Sequence, residues 1–129
     1  MVNKLSITKK SSWSLVLAAK ETVYDEERHS SLISIEKTIR GVKYTLAYDR
    51  NSETISKCNF IMDDYNEMLF STFLPIIFNN HHKPFFIAHL AQTLDGFIAT
   101  DSGESKYISS KENLTHIHMI RAISDVIIV

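Results

Sequence analysis

Cysteine is nearly missing from this chain of 129 residues: Cys58 stands alone. One thiol cannot form an internal disulfide, which excludes a disulfide scaffold and fits a reducing compartment. Cys58 has no flanking signature, so it reads as a small half-buried side chain rather than a nucleophile. Glycine and proline are scarce as well, with three and two copies, and no P-loop spacing is present. Nor does either charge dominate. Fourteen Lys and Arg face fifteen Asp and Glu, for a formal net charge of -1, which gives no electrostatic ground for a nucleic-acid or polyanion partner. No apolar run approaches the ~18–20 residues that span a bilayer. Lys4, Lys9 and Lys10 precede the apolar run Trp13–Ala19, but Lys20 and Glu21 follow at once and the run is short for a signal peptide. A cytoplasmic location is expected, with no membrane partner.

What remains is ordinary for a globular protein: 44% hydrophobic and 22% charged residues. There is no internal repeat and no low-complexity tract. Ser12 is placed to cap a short helix whose apolar side is Trp13, Val16 and Leu17, ending near Lys20. Asp25-Glu26-Glu27 reads as a solvated turn rather than a metal site. Leu32–Lys37 reads as a strand, and Val42, Tyr44, Leu46 and Tyr48 alternate as a half-buried strand does. Arg40-Gly41 between them predicts a hairpin. Asp49–Ser52 is a second turn and Thr54–Ile61 a third strand, which makes a meander over 31–61. Asp63-Asp64 opens a helix, with carboxylates at its positive end. Its stripe is Tyr65, Met68, Leu69, Thr72, Phe73 and Ile76, and Pro75 is expected to kink or end it near Thr72.

Asn79–Pro84 is polar and reads as a linker, dividing the chain into 1–83 and 84–129. Beyond it the pattern changes. Phe85–Leu90 and Val126–Val129 are nearly continuous in apolar residues, as strands covered on both faces are. Between them a helix begins at Ser109, with Glu112 completing a capping box. The expected fold class is therefore α/β in this segment, a β-loop-α-β unit with a right-handed crossover, preceded by an α+β segment of one small helix and a meander.

In an open α/β sheet, ligands collect where strands hand over to loops, which here is Ala91–Ser109. Gly96 and Gly103 fall inside it, where positive φ and close backbone approach are available. Taken alone, Asp95-Gly96 and Gly103-Glu104-Ser105 are unspecific turn signals. On the helix, Arg121 falls amid the stripe of Leu114 and Ile117. A guanidinium there must be paired, either with a carboxylate such as Asp125 or Asp95 or with an anion such as a phosphate. The residues by themselves favour the ion pair. His116 and His118, two apart on a helix, cannot clamp one metal together, so no metal site is read. No cysteine–histidine zinc signature of a base deaminase is present.

Three stretches carry a resemblance: His89–Ala99, then Gly103-Glu104-Ser105 with Tyr107-Ile108, then His118–Ala122 with Ser124-Asp125. In order and spacing they resemble the opening of the reductase domain of the riboflavin-biosynthesis deaminase–reductases, a dihydrofolate-reductase-like fold. The resemblance implies reduction of the ribosyl group of 5-amino-6-(5-phosphoribosylamino)uracil with NADPH. Carried over by position, Ala91 and Tyr107 contact NADPH, while Ser105 and Arg121 hold the phosphorylated ribose. Asp95, Gly96, Gly103 and Glu104 complete the site loop. No residue is assigned as catalytic. Tyr107 stands where a tryptophan is common, which leaves the substrate open, and a different pteridine- or pyrimidine-reducing enzyme of the same fold is a further option. The family's later glycine/threonine loop, its aspartate and a second glycine-rich loop have no counterpart before Val129. The expectation is thus a fragment of a reductase, inactive alone. The alternative is a non-catalytic module that associates with another chain or with its own copy through the apolar strand Val126–Val129. Residues 1–83 are an extension with no assigned role.

Overall fold

The computed structural model describes residues 4–23, 30–78, 84–104 and 109–129. The acidic cluster 25–27, the linker 79–83, Ser105 and Tyr107 lie outside the described residues. Two compact units divide the chain, Met1–Asn80 and His81–Val129.

The first unit runs α1 (Lys9–Thr22), β1 (Leu32–Ile39), β2 (Val42–Asp49), β3 (Thr54–Cys58) and α2 (Asp64–Phe78). The expected meander forms as an antiparallel sheet in the order β1-β2-β3. Arg40 (φ 50°) and Gly41 (φ 80°) both take positive φ. A two-residue hairpin needs this, because the mirror-image turn matches the right-handed strand twist. The register runs from Ile39 opposite Val42 to Leu32 opposite Asp49. Between β2 and β3 the pairing shifts: Ala47 faces Lys57 and Tyr48 faces Ile55, leaving Ser56 as a bulge. β3 also ends earlier than its apolar pattern suggested. Beyond Cys58 the chain bridges to Leu5, whose N–H donates to the Asn59 carbonyl at 3.0 Å and whose carbonyl accepts from Ile61 N–H at 2.9 Å.

Both helices depart from the sequence expectation. α1 starts at Lys9, capped by Thr8, whose hydroxyl accepts from Ser11 N–H at 3.2 Å. Ser12 is not the cap but a fully buried residue, bridging the Thr8 carbonyl and the Asn66 side chain. A buried hydroxyl needs such partners. α2 runs through Pro75 to Phe78 instead of stopping near Thr72. Proline removes one main-chain bond, but Phe73, Leu74 and Phe78 on either side are buried and hold the last turn in place. The buried stripe is Asn66, Leu69, Phe70, Phe73, Leu74 and Phe78, rotated from the expected one so that Met68 is 57% exposed. Arg50 donates to the Phe78 carbonyl at 3.1 Å, satisfying one orphan acceptor of that helix end. Leu15, Val16, Ile35, Leu46, Tyr48 and Phe60 join this stripe in the core, with the Tyr48 ring stacked on Phe78 at 5.5 Å.

The second unit contains α3 (Lys111–Ile123). Its cap is Ser110, one residue later than read, with the hydroxyl accepting from Asn113 N–H at 3.2 Å. Glu112 therefore sits in the first turn, where it complements the helix dipole, and the capping box is not formed. The expected strands 85–90 and 126–129 are not formed among the described residues: neither segment carries a ladder. A parallel pair has a place only where helices cover both faces. α3 is the one helix of this unit among the described residues and fully buries only Ile123, with Ile117 and Ile120 half-buried, so two covered faces are not provided.

Candidate functional site

The loop from Ala91 to Glu104 is built from one turn used twice. Thr93 N–H donates to the Phe97 carbonyl at 2.9 Å, Gly96 N–H to the Thr93 carbonyl at 2.9 Å, and Phe97 N–H to the Thr93 hydroxyl at 3.1 Å. The same three bonds recur from Thr100: its N–H to the Glu104 carbonyl at 2.9 Å, Gly103 N–H to its carbonyl at 2.8 Å, and Glu104 N–H to its hydroxyl at 3.1 Å. A repeat thus exists at the scale of a turn, Thr-x-x-Gly-x, too short to register as a repeat in the sequence. Gly96 and Gly103 take φ of +88° and +80°, and a Cβ on either would meet nothing within 4 Å. Glycine is needed there for its dihedral, not for a crowding neighbour. The Asp95 carboxylate accepts from the Thr93 hydroxyl, which ties it into the first turn. Ala91 is half-buried, while Asp95, Gly96, Gly103 and Glu104 are exposed.

Arg121 lies in the last turn of α3, favourable for a cation. It is exposed rather than sunk in an apolar stripe. Leu114 on the same side is itself 46% exposed, so the helix face does not bury the guanidinium. The expected ion pair is absent: neither Asp95 nor Asp125 reaches it, and no carboxylate among the described residues does. Instead, Arg121 lines a cleft of about 350 Å³ with His89, Ile87, Ile117, Ile120 and Ile127. His89 in turn approaches His116, ring centroids 6.3 Å apart. The structure therefore joins Arg121 to His89 and to the C-terminal apolar segment. The turn residues 91–104 do not line that cleft. Sequence reasoning missed His89 as a cleft residue. Its signals were its place inside the apolar run 85–90 and at the head of the stretch His89–Ala99.

Among the described residues, the stretch from His89 to Asp125 thus holds a double turn and a helix whose Arg121 meets no carboxylate. Residues 84–129 match the RibD C-terminal domain. The match is consistent with the resemblance carried by His89–Asp125, and it begins at Pro84, the proline that closes the linker. Residues 1–83 lie outside it. No curated protein and no solved structure matches the chain. No helix among the described residues is long and apolar enough to cross a membrane.

Proposed function

We propose that residues 84–129 are the opening part of an NADPH-dependent reductase domain acting on 5-amino-6-(5-phosphoribosylamino)uracil or a close relative. The single observation that carries the reading is the family match over 84–129. When bound, NADPH supplies the hydride. The chain's residues bind and orient. Arg121, which meets no carboxylate among the described residues, lines the cleft with His89 and Ser124, and its guanidinium suits one phosphate group by charge-assisted hydrogen bonds. Ala91, small and half-buried, lets a planar ring approach the main chain, with Tyr107 as its second contact. Ser105 joins Arg121 on the sugar phosphate. Cys58 as a free thiol and the need for NADPH agree with a cytoplasmic protein.

Hydride transfer needs a water-excluding site. Phe86, Leu90, Leu94, Phe97 and Ile98 are all more than half exposed around this loop. The proposal is therefore that polypeptide from outside these residues covers the loop in the working enzyme, and that the 129-residue chain is inactive on its own. The same exposure supports a second reading, a non-catalytic module that docks on another chain or on its copy through Val126–Val129, of which Val126 and Ile128 are 78% and 87% exposed.

The test follows NADPH consumption on adding the phosphoribosylaminopyrimidine to the chain alone and to the chain mixed with any protein that co-purifies with it. The reductase reading expects turnover only in the mixture, abolished when substrate is left out. Stable association without turnover would favour the docking module.

A further inference from the structure

The first unit has a cleft of its own, about 500 Å³, between β3 and the first half of α2. That volume lies within the range of small-molecule sites, roughly 300–1,000 Å³. Its floor is aromatic and aliphatic: Phe70, 1% exposed, with Tyr48, Ile55 and Met62. The bulge at Ser56 turns this edge of the sheet out of register, and Ser56 itself lines the cleft.

Tyr48 is the decisive residue. It is 98% buried by accessible area, at 2% exposure, yet its hydroxyl has no hydrogen-bond partner among the described residues. No buried polar side-chain atom there is left unsatisfied, so this hydroxyl is reached by solvent, and Tyr48 lines the cleft together with Glu53. Burial first, and then the nearby Glu53 carboxylate, push its pKa above the ordinary value of 10.0. The hydroxyl thus stays a donor at neutral pH. Around the rim stand Lys4 and Lys57, and opposite in sign Glu53 and Glu67. None of the four is in an ion pair among the described residues. Two free charges of each sign around one apolar floor favour no net charge on a ligand, but they suit one that carries both signs.

The geometry points to this cleft as a binding site for a zwitterionic small molecule with an apolar body, of the class of the aromatic α-amino acids. The carboxylate is held by Lys4 and Lys57, the ammonium by Glu53 and Glu67, and the body lies on the half-buried Ile55 and Met62. Tyr48 donates to a ligand oxygen. The site is independent of the reductase reading, since it lies wholly within Met1–Asn80.

The experiment is an amide NMR titration of the full 129-residue chain with three probes: L-phenylalanine, N-acetyl-L-phenylalanine, which lacks the ammonium, and phenethylamine, which lacks the carboxylate. The expected result is saturable shifts at residues 53–58 and 67–71 with L-phenylalanine, and affinities about tenfold lower for the other two. Tyr48→Phe keeps the ring that stacks on Phe78 and should weaken L-phenylalanine about tenfold, the scale of one hydrogen bond. The surface pair Lys4→Gln with Lys57→Gln leaves the core intact. It should weaken L-phenylalanine and its N-acetyl form but not phenethylamine. Equal affinity for all three probes, no saturation by about 10 mM, or variants that bind as the parent does would each overturn the assignment.

Discussion

Arg40 illustrates how one residue can work against its own site. Its φ of 50° is the left-handed conformation that the hairpin demands, and an L-residue with a Cβ there is disfavoured by roughly 1–2 kcal/mol. Asparagine tolerates that region far better. Arg40→Asn is therefore expected to stabilise the first unit by about 0.5–1 kcal/mol, read as a higher midpoint in urea. Tyr48 makes a second residue-scale prediction. Its folded pKa lies above the unfolded one, so the folded state holds the proton longer. Its contribution is fully present below the unfolded value near 10 and is lost as pH rises from there through the folded value. Stability should fall above pH ~10, and Tyr48→Phe should flatten that fall; an unchanged slope would mean another group titrates there. Arg121 teaches a different lesson. Spacing put it amid apolar neighbours, but whether such neighbours bury it depends on what the helix packs against, and α3 packs against little.

At the scale of elements, the alternation of Val42, Tyr44, Leu46 and Tyr48 and the Arg40-Gly41 turn made the sheet legible, because a half-buried strand and a tight hairpin are local facts. The helix faces were less so. Tyr65, Met68 and Leu69 and Asn66, Leu69 and Phe70 are both fair stripes on one helix, and only the position of α1 selects the second through the Ser12–Asn66 contact. Nor could the passage through Pro75 be read, since it rests on Leu74 and Phe78 finding the core. Leu74→Ala should accordingly destabilise the first unit by about 3 kcal/mol, as a buried leucine does, while the helicity of α3 stays unchanged by residue-resolved NMR. The apolar runs 85–90 and 126–129 were legible as apolar but not as unpaired, because pairing depends on neighbours that composition does not name. The candidate site divides in the same way. The turns at Gly96 and Gly103 could be read from sequence, whereas the joining of Arg121 to His89 across the cleft could not.

For the whole molecule, the chain combines a first unit built round a buried core with a second whose apolar side chains are largely exposed. A loop this open is expected to bind NADPH no tighter than about millimolar in the isolated chain, because ordering and desolvation offset most of the contact energy. Micromolar binding measured by fluorescence would contradict the need for a cover. Whether Arg121 receives the phosphate of a ribosylaminopyrimidine is decided by calorimetric titration of the chain and of its Arg121→Met variant with the substrate and with its dephosphorylated form. The parent should prefer the phosphorylated form by about tenfold, and Arg121→Met should remove the preference. A preference that survives the substitution, or that the parent never shows, would contradict that role for Arg121.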